Sequence, residues 1–306
     1  MRKVYILILT FLILRVSSVH AQSETYQSLI KIADSLYRIK EYKKSTYAFS
    51  WAFRVNSYRS TLKDRYNAAK AWSMNFTPDS AFYHLLKMAK QGNFSDYDKL
   101  VNDPAFTPIH LDARWNHLVG IVKVNSDKTE ANLDQTLKKQ LDTIHDNLIY
   151  WHRKLDSLKH HDPKNKIAFE KLNKTVTAKD SLYKDIITDM WKSIGWVGQN
   201  VVGKKGRDAQ FYLLKYVSLY TQKKYLPLFK KAVKEDFATL EQMAVIDDIM
   251  AIRQGKKQIY GTQVGLDAKG NYFLQPVEDP SKVNQLRAEL GMQPLNEYLK
   301  SYGLSI

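Results

Sequence analysis

The sequence contains no cysteine among its 306 residues. Disulfides, thiol catalysis and cysteine-ligated metals are therefore excluded. The chain also lacks HExxH, G-x-S-x-G and GxxxxGK[ST], and it has no strand-flanked GxGxxG. Motif spacing thus identifies no reaction, and no cofactor and no metal site are expected.

The apolar run near the N-terminus, Val4 to Leu14, is too short to span a bilayer as a mature helix. Arg2 and Lys3 precede it, and Val19-His20-Ala21 offers small residues at the positions a signal peptidase reads. These features predict a signal peptide over residues 1–21, with an uncleaved anchor or a buried helix as the alternatives. Since no cysteine follows the run, a lipoprotein anchor is not expected. We expect an exported protein, periplasmic or extracellular, without a stable membrane anchor after cleavage.

Basic residues exceed acidic ones, 47 Lys and Arg against 31 Asp and Glu, which gives a formal charge of +16. Removing Arg2, Lys3 and Arg15 with the predicted signal lowers this charge to +13. Such a surplus favours acidic partners or anionic surfaces. An exported protein meets little nucleic acid, so we expect no nucleic-acid partner. A solvated lysine surface is one interpretation, and contact with an anionic envelope polymer is the other.

Small and large residues recur at helical spacing in the first third of the chain. Ser45, Phe49 and Ala52 are followed later by Ala81, Leu85 and Met88, with Ala68, Ala69 and Trp72 on the helix between them. In the first helix, Leu29, Ile32, Ala33 and Leu36 share one face, and Phe106, Ile109, Leu111 and Trp115 form a closing apolar face.

This pattern resembles tetratricopeptide repeats over about residues 25–122, and it predicts a helical repeat domain over 22–125. The resemblance implies stacked helical hairpins with a groove that binds peptide segments, and hence a protein or peptide partner. The polar candidates for that groove, which ordinary surface positions would also explain, are Arg54, Asn56, Arg65, Asn67 and Lys70.

Polar residues from Val124 to Lys128 predict a domain boundary, followed by a helical domain over 129–306. Its first helix, about 129–160, carries an apolar seam with a 3.5-residue period, which favours either an intramolecular bundle or a dimer. Helices are also predicted over 166–194, 207–220 and 240–253, with a glycine-rich loop before the second of these. Ile259, Tyr260 and Thr262 predict the first strand of a β-hairpin, residues 267–271 its turn, and 271–277 its second strand. The fold class is therefore mainly α, with one small hairpin.

The most motif-like stretch, Gln254 to Gln263, contains Q-x-Y-G-T-Q. It resembles a signature near the C-terminus of a bacterial domain family of uncharacterised function, with similarity over roughly 130–302. The residues that carry this resemblance are Gly195-Trp196, Val202-Gly203, Asp248, Gln258, Tyr260 to Gln263, Pro276, Asp279, Arg287 and Gly291. Members of that family usually carry a Gln-His-x-Asp run where this chain has Lys215 to Ser218, and an arginine where it has Ile249.

Three hypotheses remain for the signature. A binding site would use the amides of glutamine and the ring and hydroxyl of tyrosine, with the candidates Trp196, Asp248, Gln258, Tyr260, Thr262 and Gln263. A hydrolase of envelope peptide or glycan would use Asp248 as acid or base, assisted by Tyr260 and Thr262, and would be inactive if the family depends on the missing His and Asp. In a purely structural role, Gly261 lets the backbone bend and the glutamines satisfy buried carbonyls.

Overall fold

The computed structural model describes residues 22–305, so the predicted signal peptide lies outside the described residues. The chain forms two compact units, the first ending at Ala131 and the second beginning at Asn132. Helices dominate both, and the described strands form a single two-stranded sheet. This confirms the predicted mainly α class with one small hairpin. Within residues 22–305, no helix combines the length and the apolar character needed to cross a bilayer.

The first unit is a series of antiparallel helices joined by short turns. Its elements are α1, helical from residue 22 to 38, α2 (Tyr42–Val55), α3 (Leu62–Met74), α4 (Pro78–Gln91), α5 (Tyr97–Asn102), a 3-10 helix (Pro104–Ile109) and α6 (Ala113–Ala131). Thr61 caps α3 by accepting a hydrogen bond from the Asp64 N–H at 3.0 Å. Pro78 begins α4, since its fixed φ suits the first turn of a helix.

Alanines at the helix contacts of this unit bring the helices close together. Ala52, Ala68, Ala69 and Ala81 are fully buried, and the predicted positions Ser45, Phe49, Leu85 and Met88 are buried beside them. Two predicted core residues are wrong. Ile32 is exposed because α1 turns Tyr26, Ile30 and Ala33 inward, and Leu111 is exposed because it lies in the turn before α6.

The second unit begins with two long helices. Its helices are α7 (Gln135–His161), α8 (Lys166–Ile194), α9 (Gln199–Tyr216), α10 (Leu219–Lys234), α11 (Leu240–Arg253), α12 (Val283–Glu289) and α13 (Leu295–Lys300). The two units meet at Ala131 and Asn132, a few residues after the predicted boundary at Val124–Lys128, because those polar residues continue α6. Asp134 fixes the start of α7 by accepting from the Leu137 N–H at 2.9 Å.

The apolar seam of α7 is buried within its own unit, where α7 packs most extensively on α9. Leu141, Ile144 and Leu148 share one core cluster with residues of α9. The predicted loop at 198–206 is instead the first half of α9, which bends at Gly203 with φ of +70°. A Cβ at Gly206 would lie 2.8 Å from Val202 Cβ and 3.4 Å from Leu141 Cβ, so a larger residue here would crowd the Val202 side chain at the bend.

The hairpin consists of β1 (Val264–Leu266) and β2 (Tyr272–Leu274), paired antiparallel with Gly265 opposite Phe273. The predicted turn is confirmed, with Asp267 accepting from the N–H groups of Lys269 and Asn271 at 2.8 and 2.9 Å. The predicted first strand at 259–262 is wrong, because side-chain acceptors of the protein bind the backbone N–H groups there. The contacts responsible surround Asp248.

Candidate functional site

Asp248 on α11 is the anchor of residues 258–263, which we call the signature loop. Its side chain is fully buried. Oδ1 accepts from the N–H groups of Ile259 and Tyr260 at 2.7 and 3.0 Å. Oδ2 accepts from the N–H and the hydroxyl of Thr262 at 3.0 and 2.9 Å. The carboxylate thus holds the loop as a bound anion holds a nest of backbone donors.

Gln258 joins the start of the signature loop to its end and to the strand beyond. Its amide nitrogen donates to the carbonyls of Gln263 and Gln275 at 3.0 and 2.7 Å. Its amide oxygen accepts from the Gln263 N–H at 2.8 Å. The side chain is fully buried, and both its amide nitrogen and its amide oxygen are hydrogen-bonded. The backbone of Gln258 also forms a parallel bridge with Val277, so both its main chain and its side chain tie this loop to the segment after β2.

The C-terminal helices hold the loop from the other side. Arg287 Nη1 donates to the Tyr260 carbonyl at 2.8 Å, and the Tyr298 hydroxyl donates to the Thr262 carbonyl at 2.8 Å. Gly261 has φ of +68°, and a Cβ there would lie 2.8 Å from Leu295 Cδ1. Only glycine combines this left-handed backbone with so close a neighbour.

The structure brings five of the six signature candidates together and separates the sixth. Trp196 lies in the helical core, stacked on Trp191 with ring centroids 5.0 Å apart. Asp248, Gln258 and Thr262 are buried, and every polar atom of their side chains already has a protein partner. Ligand binding by the whole set stays a prediction. In this conformation the side chains of Trp196, Asp248, Gln258 and Thr262 present almost no surface to a ligand.

Tyr260 and Gln263 are the two signature side chains that remain partly exposed. Burial, and then the charges of Asp247 and Asp248, raise the pKa of the Tyr260 phenol. Gln263 donates from its amide to the Thr262 hydroxyl at 2.7 Å. The phenol is therefore neutral at pH 7, and it offers a ring and a hydroxyl beside a loop whose other polar groups are occupied.

A groove runs beside the signature loop along α11, and sequence reasoning missed it. Its volume is about 700 Å³. Charges of both signs, from Asp247, Lys256, Lys257 and Glu278, surround apolar surface from Ile259, Met250 and Ala251. Burial raises the pKa of the Asp247 carboxyl, and Asp248 adds to this shift while Lys230 opposes it. We call this feature the α11 groove. The adjacent Lys256 and Lys257 in the signature stretch were the sequence feature that could have indicated it.

A second polar cluster lies where the family resemblance places its Gln-His-x-Asp run. The ring of Tyr216 stacks on His152 with centroids 3.4 Å apart and 2° between the planes. His152 Nε2 lies 3.0 Å from a carboxylate oxygen of Asp180 on α8. Burial lowers the pKa of the neighbouring Lys215 amine, and Asp156 opposes this shift. A histidine therefore lies beside Tyr216, but it is His152 of α7 and not a residue of α9.

The five candidate groove residues of the first unit differ in burial and in contacts. Arg65 is buried, with Nη2 donating to the Tyr58 carbonyl at 3.0 Å and Nη1 lying 3.3 Å from His84 Nδ1. It therefore supports the core and does not line an open groove in this conformation. Peptide binding by the other four stays a prediction.

Asn67 and Lys70 lie on one side of α3 and pair with carboxylates. Asn67 donates to Asp34 at 3.1 Å, and Lys70 lies 3.4 Å from Asp103. Elsewhere, the amide of Asn56 donates to the Arg59 carbonyl at 3.0 Å. The guanidinium of Arg54 lies 5.1 Å from the centroid of the exposed Trp51 ring.

The chain is similar to a known protein family in its C-terminal part. Residues 168–306 are similar to the model of a family of unknown function, DUF6624. The matched range contains the signature loop, the α11 groove and Arg287, and it begins inside α8. Among curated proteins and among solved structures, no match to this chain was found.

Proposed function

We propose that this protein is a binding protein and that its C-terminal unit takes up a peptide segment in the α11 groove. One observation above all supports this proposal. Both oxygens of the Asp248 carboxylate accept hydrogen bonds from the signature loop, and this holds the backbone of Ile259, which lines the groove. Ile259 remains 36% exposed although its backbone is rigidly held. A large apolar side chain held at the surface is a feature of docking sites.

The chemistry of the lining favours a peptide. A volume of about 700 Å³ falls in the range of ligand sites, about 300–1,000 Å³. Lys256 and Lys257 suit acidic side chains or backbone carbonyls, whereas Asp247 and Glu278 suit basic ones. An apolar surface between opposite charges matches a segment that carries an apolar residue beside charged ones.

The wider proposal follows from the N-terminal sequence and the helical hairpins. We place the protein outside the cytoplasm, on the evidence of the signal-like residues 1–21. The helical hairpins of the first unit, which resemble tetratricopeptide repeats, would supply a second peptide-binding surface around Asn67 and Lys70. Hydrolysis through Asp248 receives no support from the geometry, since both of its oxygens are occupied and its side chain is buried.

A peptide array tests the proposal directly. The full chain is applied to an array of ten-residue peptides of mixed sequence, beside the charge reversal Lys257→Glu and the matched control Lys164→Glu, an exposed lysine between α7 and α8. We expect Lys257→Glu to shift binding from acidic toward basic peptides, and Lys164→Glu to bind as the wild type does. The same binding pattern for all three proteins, or no binding by the wild type, would overturn the proposal.

A further inference from the structure

Arg287 is a buried cation whose guanidinium lies 5.0 Å from the centroid of the Tyr298 ring. Only 1% of its surface is exposed. Its two hydrogen bonds go to neutral carbonyls, from Nε to Gln293 at 2.7 Å and from Nη1 to Tyr260 at 2.8 Å. Within residues 22–305, no carboxylate forms an ion pair with it, and Nη2 has no hydrogen-bond partner there. Buried N–H groups without an acceptor are costly, so an anion at Nη2 would stabilise this arrangement.

A small cavity adjoins the guanidinium. Its volume is about 270 Å³. Arg287 lines it together with Val245, Met292 and Tyr298, while Glu241 and Gln293 lie at its exposed side. Apolar surface on one side and an unpaired guanidinium on the other describe a site for a small amphiphilic anion.

The remaining polar groups of the cavity leave Arg287 as its main donor. The Thr262 hydroxyl is bonded to Asp248 at 2.9 Å, and the Tyr298 hydroxyl is bonded to the Thr262 carbonyl at 2.8 Å. The side-chain amide of Gln293 is exposed beside the cavity and can add a hydrogen bond. Burial lowers the pKa of the Arg287 guanidinium, opposed by Tyr298, Glu241 and Asp248. A guanidinium so placed prefers a planar, singly charged acceptor.

We propose that this cavity binds a monocarboxylate attached to a short apolar group, with the carboxylate at Nη2 of Arg287 and the apolar group against Val245 and Met292. The exposed Glu241 carboxylate disfavours a second negative charge and can pair with an ammonium group. Two sources share this chemistry: a free apolar amino acid, and the C-terminal residue of a peptide. The site has no lining residue in common with the α11 groove. The carboxylate proposal is therefore independent of the peptide proposed for that groove.

Calorimetric titration of the full chain tests the site with three probes. These are leucine, N-acetyl-leucine and N-acetyl-leucinamide, the last of which lacks the carboxylate. We expect N-acetyl-leucine to bind and its amide to bind at least tenfold more weakly. Equal binding of the acid and the amide, or no binding of either acid, would overturn the proposal.

Variants locate the binding without removing the guanidinium, whose loss could unfold the loop. Val245→Trp fills the cavity, so N-acetyl-leucine should lose at least tenfold in affinity while the thermal midpoint stays near that of the wild type. Lys257→Glu, in the α11 groove, should leave its affinity unchanged. Unaltered binding by a folded Val245→Trp protein contradicts the assignment.

Glu241→Gln separates the two sources of the carboxylate. For a free amino acid, leucine should bind more tightly than N-acetyl-leucine, and Glu241→Gln should remove that difference. For a peptide C-terminus, N-acetyl-leucine should bind at least as tightly as leucine, and Glu241→Gln should weaken neither. Either result supports a carboxylate site, whereas weaker binding of N-acetyl-leucine in Glu241→Gln contradicts the stated geometry.

Discussion

Asp248 and Arg287 bind the backbone N–H and the backbone carbonyl of the same residue, Tyr260. The Asp248 carboxylate accepts from the Tyr260 N–H at 3.0 Å, and Arg287 donates to the Tyr260 carbonyl at 2.8 Å. Both charged side chains are buried, and they belong to helices 39 positions apart in the chain. Tyr260 is therefore positioned by two opposite charges that do not pair with each other. The signature loop is held by hydrogen bonds from both sides, and it contributes Ile259 to one cavity and Thr262 to the other.

Loss of the Asp248 charge should loosen the signature loop. In Asp248→Asn, one oxygen becomes an amide nitrogen, which cannot accept from the N–H and hydroxyl of Thr262. The Thr262 N–H then lacks an acceptor, while its hydroxyl can turn to accept from the amide, at a cost of about 1–3 kcal/mol. We expect faster amide hydrogen exchange at residues 259–262. Asp247→Asn, on the same helix but lining the groove, should exchange as the wild type does, and protection retained in Asp248→Asn would refute the anchoring role.

Gly261 should tolerate a side chain less well than Gly255. Both have left-handed backbones, with φ of +68° and +72°. A Cβ at Gly261 would lie 2.8 Å from Leu295 Cδ1, whereas a Cβ at Gly255 would meet nothing within 4 Å. Alanine at either position costs about 1–2 kcal/mol through the left-handed backbone, and at Gly261 a steric cost of about 1–3 kcal/mol is added. Urea denaturation of the two variants measures the difference. Leu295→Ala combined with Gly261→Ala should remove the steric part; equal stabilities of the two single variants would contradict it.

Acid should destabilise the first unit through His84. Burial, and then Arg65 and Lys87, lower the pKa of this imidazole to about 3, from a usual value near 6.5. Between these values the unfolded chain binds a proton that the folded unit does not, so stability rises with pH. The contribution is complete above about pH 6.5 and is lost progressively as the pH falls toward 3.

His84→Phe tests this dependence, because phenylalanine retains the stack on Trp72 but does not titrate. The unfolding free energy, measured in urea at pH 7, 5.5 and 4.5, should fall less steeply in the variant than in the wild type. His117→Gln, at an exposed histidine, controls for the loss of an imidazole as such. Parallel pH profiles for wild type and His84→Phe would show that His84 is protonated equally in both states.

The two stacked tryptophans of the second unit should respond differently to the same substitution. Trp191 Nε1 donates to the fully buried Gln210 at 3.1 Å. Trp196 Nε1 is buried, and no described residue accepts from it. Trp191→Phe breaks a buried hydrogen bond, whereas Trp196→Phe removes an unsatisfied donor, so the first should cost about 1 kcal/mol more than the second. Thermal unfolding of both variants decides this, and a larger loss for Trp196→Phe would be the contrary result.

Helix positions were largely predictable because burial repeats along the chain with the period of the helix. The predicted helix over 166–194 coincides with α8, and that over 240–253 with α11. The hairpin turn was equally local, since Asp267 bonds to residues two and four positions ahead. The glycine-rich start of α9 was wrongly predicted as a loop, because small residues are compatible with a helix when its neighbour lies close. The division between the units follows the predicted segment by a few residues, because polar residues at 124–128 continue α6.

The sequence by itself determined that residues 254–263 are distinctive, since the cluster of amide, hydroxyl and glycine residues is visible without a structure. Only the tertiary structure decided that Asp248, Gln258 and Thr262 face inward. A polar side chain serves a ligand or the protein depending on which donors reach it. The donors to Asp248 come from residues 11–14 positions away, across a turn whose path local sequence does not specify. The residues that make the signature recognisable therefore hold its loop in place, and our binding proposals rest on the α11 groove and the cavity at Arg287.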